Sequence, residues 1–184
     1  MPWLSIHEDL TSPFETRRPG QIEVGAVVAE SELSRGHVVH ATTVVERTYN
    51  VSTARAFEQW CQPDAHHIWH LPAEGWVVAA SDRDVVPGGR DFCRFGRPGA
   101  PIHHSDGRFL LVEQDRCVVS AGTMYCDDVP TSATLCTVEF IPLPDGGVRL
   151  VVTDQSAYFA GRHDPAGRER GWQIILEKFG EALA

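Results

Sequence analysis

From residue 76 to residue 158 the chain is a succession of strand-length stretches separated by turns too short to carry a crossover. This feature constrains the fold most, because strands joined by tight turns pair antiparallel. Pro87-Gly88-Gly89 and Asp145-Gly146-Gly147 are strong turn signals. Alternation is cleanest over 134–143, with Thr134, Cys136, Val138 and Phe140 on one face and Leu135, Thr137, Glu139 and Ile141 on the other. The remaining predicted strands are 40–51, 76–86, 90–96, 108–114, 117–126 and 148–158, with 97–106 and 127–132 read as loops.

Helices enter at two places. Ser52 or Thr53 caps a short helix over 54–61; Pro63 ends it, and Asp64 caps a second short helix through His70. At the far end Asp164 is a cap and Pro165 the first helical residue, and Trp172, Ile175, Leu176, Phe179 and Leu183 form one apolar stripe at helical spacing. That stripe must be buried against one face of the antiparallel sheet. The predicted class is therefore α+β: a curved antiparallel sheet wrapped around a long C-terminal helix, with two short helices after the first strand. Where the sheet curves away from the helix a cavity is expected. Residues 1–38 hold no period and carry Pro2, Pro13, Pro19 and Gly20; they read as a partly disordered N-terminal extension to a domain over 39–184.

Charge and cysteine content narrow the partners. The net charge of −9 argues against a nucleic-acid surface and against anionic membranes. No apolar run approaches the roughly 18 residues of a membrane helix. The 5 cysteines are odd in number and include no C-x-x-C, which points to free thiols in a reducing cytoplasm and gives structural zinc no support. Among 16 basic residues only Lys178 is a lysine, and no functional reading attaches to it.

Candidate chemistry lies in three groups. His66 and His70, four apart on the second short helix with His67 between them, have the spacing of helical metal ligands or a general base. No H-E-x-x-H glutamate or cysteine set accompanies them, so a polar helix edge at a cavity mouth is the plainer reading, and no metal or cofactor is expected. His103 and His104 fall in a predicted loop near the same rim, and His163 precedes the last helix. Among aromatics, Trp60, Trp69, Trp76, Tyr125, Tyr158 and Trp172 are candidates for a cavity wall, while Phe57, Phe92, Phe140 and Phe179 are assigned to the core. If Val148, Leu150 and Val152 face inward, Asp154, Ser156 and Tyr158 do so too; if Cys117 and Val119 face inward, Thr123 and Tyr125 follow. Arg94 is a candidate to join them, in a pair with Asp154, although an Asp154 solvated at the sheet rim fits the pattern equally. There is no G-x-S-x-G elbow, no phosphate-binding glycine loop and no dinucleotide fingerprint.

Several stretches, in order, resemble a START-like (SRPBCC) domain of the subgroup named for the activator of the heat-shock chaperone ATPase (AHSA-type). They are Glu46-Arg47-Thr48-Tyr49; Phe57-Glu58-Gln59-Trp60 with Pro63 and Trp69 behind it; Asp84-Val85-Val86-Pro87-Gly88-Gly89; Gly107-Arg108-Phe109; Asp115-Arg116; Thr137-Val138-Glu139-Phe140; Gly146-Gly147; and Gly171-Trp172. The resemblance covers about residues 40–184. It departs from the subgroup at Val86, where Arg is frequent, and at Cys117, where a large apolar residue is frequent. It implies the helix-grip fold with a deep cavity, in a superfamily that includes lipid carriers, hormone-binding proteins, cyclases and co-chaperones.

Three functions follow as expectations. The first is binding of a small, mainly apolar molecule, walled by Trp60, Trp69, Tyr125, Tyr158 and Trp172 and oriented by Arg94, Thr123 and Asp154. The second is a cyclase- or hydrolase-like enzyme using His66, His70 or His163. The third is a co-chaperone-like interaction module with a chaperone partner. An open sheet edge is also compatible with a homodimer.

Overall fold

In the computed structural model the described residues are 38–62, 66, 69–71, 73–159 and 164–184. Of the expected N-terminal extension only Val38 is among them, and Pro63, Asp64 and His163 lie outside the described residues. Seven strands form one antiparallel sheet: β1 (Val39–Tyr49), β2 (Val77–Arg83), β3 (Arg90–Arg97), β4 (Ala100–Glu113), β5 (Cys117–Cys126), β6 (Val129–Pro142) and β7 (Val148–Tyr158). Their order across the sheet is β1-β7-β6-β5-β4-β3-β2, so every neighbour except the β1–β7 pair is joined by a hairpin. Helix α1 (Thr53–Cys61) follows β1, and α2 (Pro165–Leu183) closes the chain. His66 and Trp69 lie in a further helical turn after α1, with the His70 amide bonded to the His66 carbonyl at 3.0 Å.

Local chemistry accounts for the helix ends. The Ser52 hydroxyl accepts from the Arg55 amide at 3.2 Å, and Asp164 accepts from the Gly167 amide at 2.7 Å with Pro165 in the first turn. The predicted stripe of α2 is buried in full: Trp172, Ile175, Leu176, Phe179 and Leu183. It packs with Tyr49, Trp60, Trp69, Phe140, Leu150 and Val152 into one core. At Gly180 α2 approaches the sheet closely: a Cβ there would stand 2.9 Å from the Tyr49 ring. The Tyr49 hydroxyl donates to the Leu176 carbonyl at 2.7 Å, tying β1 to the helix. Lys178 donates to the carbonyls of Leu71 (3.1 Å) and Ala73 (3.4 Å), clamping the segment before β2 onto α2.

Two expected loops are strand. β4 begins at Ala100 and β6 at Val129, because long neighbouring strands supply ladder partners that override the local prolines and glycine. His103 and His104 therefore lie in β4 on opposite faces. Register shifts near Val78, Phe95, Phe109 and Met124 bend β2 to β5, as bulges do. At the centre of the bend Gly107 faces Gly122 across β4 and β5, so close that a Cβ on Gly122 would meet the Asp106 carbonyl oxygen at 2.9 Å. Two missing side chains on the inner face let the sheet fold over itself and leave room beneath α2.

Candidate functional site

The room beneath α2 is a cavity of about 320 Å³. Its apolar wall includes Trp60, Phe109, Val118, Val138, Trp172 and Ile175. Three polar clusters interrupt that wall. The first is Asp154, which is 1% exposed on β7 and accepts from Ser156 Oγ at 2.5 Å and Trp172 Nε1 at 2.9 Å. Arg168 Nε lies 3.7 Å from the same carboxylate and its Nη2 donates to Ser132 Oγ at 3.0 Å. These contacts lock the first half of α2 to the sheet.

The second cluster is an ion pair inside the sheet. Arg83 Nε donates to Asp91 Oδ1 at 2.8 Å, and the arginine side chain is 3% exposed. Its guanidinium lies 5.3 Å from the centre of the Phe109 ring. The third is histidine. The His66 and His70 rings stack at 3.8 Å, and burial, with the Arg83 charge as a smaller cause, pushes His70 down to about 3. Near the other end of the inner face, His103 stacks on Trp76 (5.0 Å, 12°) and on Phe95 (5.8 Å), and burial lowers its pKa as well.

Of the expected site residues, Trp60, Trp172, Asp154, His66 and His70 line the cavity, and Asp154 is buried there rather than solvated at a rim. Thr123 reaches the cavity margin but also borders a shallow depression on the other side of the sheet. Four residues are placed elsewhere. Trp69 is fully buried behind Trp60 (ring centres 4.6 Å apart) and fills the core. Tyr125 lies on the outer face, stacked on His104 at 4.4 Å, because Val118, Ser120, Gly122 and Met124 are the inward set of β5. Both alternating sets of β5 are similarly apolar, and choosing the wrong one inverts every side chain. Arg94 also faces outward, paired with Asp128 at 3.3 Å instead of Asp154, since Asp91, Cys93 and Phe95 take the inner face of β3. Tyr158 is on the inner face and buried, but it sits beside Arg168 (5.9 Å), outside the cavity lining. Phe92, assigned to the core, instead lies under the Arg90 guanidinium at 4.6 Å.

Sequence reasoning missed the Arg83–Asp91 pair and Arg168. Arg83 and Asp91 are equidistant from Pro87, so a symmetric hairpin about that turn sets them opposite each other. Arg168 lies one turn before Trp172 on the same helix, within reach of Asp154.

A curved antiparallel sheet gripping a long C-terminal helix over a lined cavity defines the helix-grip fold of START-like proteins. Residues 50–184 match the model of the family described as Activator of Hsp90 ATPase homolog 1-like protein, and the chain belongs to that family. Among solved structures it is similar to the Mll3558 protein from Rhizobium loti, with 33% identity over 79% of this chain and 99% of that one, TM-score 0.72. An uncharacterised protein from Rhizobium leguminosarum is 27% identical over 80% of this chain and 97% of its own, TM-score 0.69. An AHSA1-like protein from Aeromonas hydrophila shares the fold at 24% identity, covering 77% of this chain and 91% of its own, TM-score 0.60. No curated protein matches. Among the described residues no helix is long and apolar enough to cross a membrane.

Proposed function

We propose that the chain binds a small, mainly apolar molecule in the cavity between the sheet and α2. The observation that carries this reading is a volume of about 320 Å³ walled largely by tryptophan, phenylalanine and aliphatic side chains, with three polar clusters set into that wall. Binding sites for small molecules have this makeup. Trp60 and Trp172 supply the broad walls, and Asp154 positions Trp172 through its indole N–H. His70 favours binding over acid–base chemistry, because a group with its lowered pKa accepts almost no protons near neutrality. The proposal sets the protein in the reducing cytoplasm, a reading supported by free Cys61, Cys93, Cys117, Cys126 and Cys136.

A thermal-shift panel of aromatic hydrocarbons, fatty acids and polyketides tests the proposal. A true ligand at a hundred times its Kd stabilises by about 2.7 kcal/mol, which raises Tm by roughly 5–10 °C in a domain of this size. A panel in which no class raises Tm refutes the reading.

A further inference from the structure

Arg83 ends the edge strand β2 and turns into the cavity wall. Its side chain is almost wholly buried, yet among the described residues its one side-chain hydrogen bond is from Nε to Asp91, and Nη1 is buried with no partner. His70 Nδ1 is likewise buried without a partner in the same wall. Buried polar atoms in folded proteins are nearly always hydrogen-bonded, so two such atoms around one cavity mark where a ligand's polar group belongs.

Charge decides which group. Arg83 and Asp91 already cancel each other, and the surroundings hold His70 neutral. An anion there would add a net buried charge, whereas a neutral acceptor fills the guanidinium's remaining donors without one. Shape decides the skeleton. The large groups around the cavity are flat: Phe109 beside the Arg83 guanidinium, Trp60, Trp172 and, toward the other end, the Trp76–His103 stack. The volume is about that of ten liquid-water molecules, which suits a flat skeleton of roughly two or three fused rings.

Resting on the cavity-binding reading above, we propose that the ligand is a neutral aromatic carbonyl compound whose oxygen is received by the Nη end of Arg83. Three probes of nearly one shape separate the possibilities: fluorenone, its hydrocarbon counterpart fluorene, and fluorenecarboxylate, each titrated into the full chain and followed by quenching of tryptophan fluorescence. A hydrogen bond from a charged donor predicts that fluorenone binds about tenfold or more tighter than fluorene. The carboxylate is expected to bind more weakly than the ketone.

The double variant Arg83→Met/Asp91→Asn removes both charges together, which limits the damage of leaving either one alone. It should lose the preference for the ketone over the hydrocarbon. Arg83→Lys keeps the charge beside Asp91 but removes the forked donors, and should lose most of the preference too. Equal affinity of fluorenone and fluorene for the unaltered protein overturns this inference and leaves the apolar-ligand reading standing. Tightest binding by the carboxylate overturns the neutral assignment. No binding by any of the three overturns both.

Discussion

Asp154 is the group on which the seating of α2 depends. Replacing it with alanine removes the acceptor of a buried indole N–H and the counter-ion of Arg168 in one step. The Trp172 N–H, left unpaired, accounts for about 1–3 kcal/mol. Arg168 keeps Ser132 and is 20% exposed, so its share is near the low end, about 1 kcal/mol. The Ser156 hydroxyl retains Thr134 as a partner at 2.8 Å and adds little. The sum, about 2–4 kcal/mol, overlaps the range of about 3–5 kcal/mol that breaking a buried charged contact costs elsewhere. It corresponds to a fall in Tm of roughly 10 °C. Asp154→Asn keeps an acceptor for the indole and should lose only about 1–2 kcal/mol. Urea unfolding followed by tryptophan fluorescence measures both. If Asp154→Ala loses less than about 1 kcal/mol, or if Asn is as damaging as Ala, the assigned hydrogen bonds are not what holds α2 in place.

Three further outcomes are expected. His70 has a folded-state pKa of about 3, below its ordinary value of 6.5, so the unfolded chain binds the proton first; its contribution to stability is complete above pH 6.5 and declines as pH falls toward 3. Between pH 6.5 and 5 that contribution falls by about 2 kcal/mol, and His70→Phe should flatten this part of the urea-unfolding profile. Gly122→Val drives a side chain against the Asp106 carbonyl and into the cavity; it should destabilise by about 1–3 kcal/mol and weaken any cavity ligand, as read by calorimetry. Burial raises the Cys61 and Cys93 thiols to about 11, so a thiol reagent at pH 7 should label both far more slowly than it labels the unfolded chain, and equal rates would contradict their placement.

The strand count and order of elements, both helix caps, the stripe of α2 and the inward set of β7 were legible because each is written in a strong periodic or turn signal. The site was legible only where such a signal fixed a face. Trp172 followed from helical spacing, and alternation put Asp154 on the inner face, although a solvated place at the sheet rim fits the same pattern and only its burial decides between them. Tyr125 and Arg94 went to the wrong face because β5 and β3 lack a clear contrast between their two sides. Arg83 and Asp91 lie on β2 and β3, where charges normally mark the solvent side; what turns them inward is their mutual pairing, a contact between strands that no single-strand pattern carries. The bend at Gly107 and Gly122 is equally a property of two strands together, visible only once their register sets one glycine against the other.

The single lysine gives the molecule an unplanned reporter. Lys178 supplies the chain's one side-chain amine, and that amine is occupied by the Leu71 and Ala73 carbonyls, between the His66–His70 stack and Trp76. An acylating reagent reacts only with an amine that has given up its proton and its partners. The modification rate at Lys178 is therefore a clock for how often this stretch of chain lifts from α2, and a ligand that seals the cavity should slow that clock without touching the lysine.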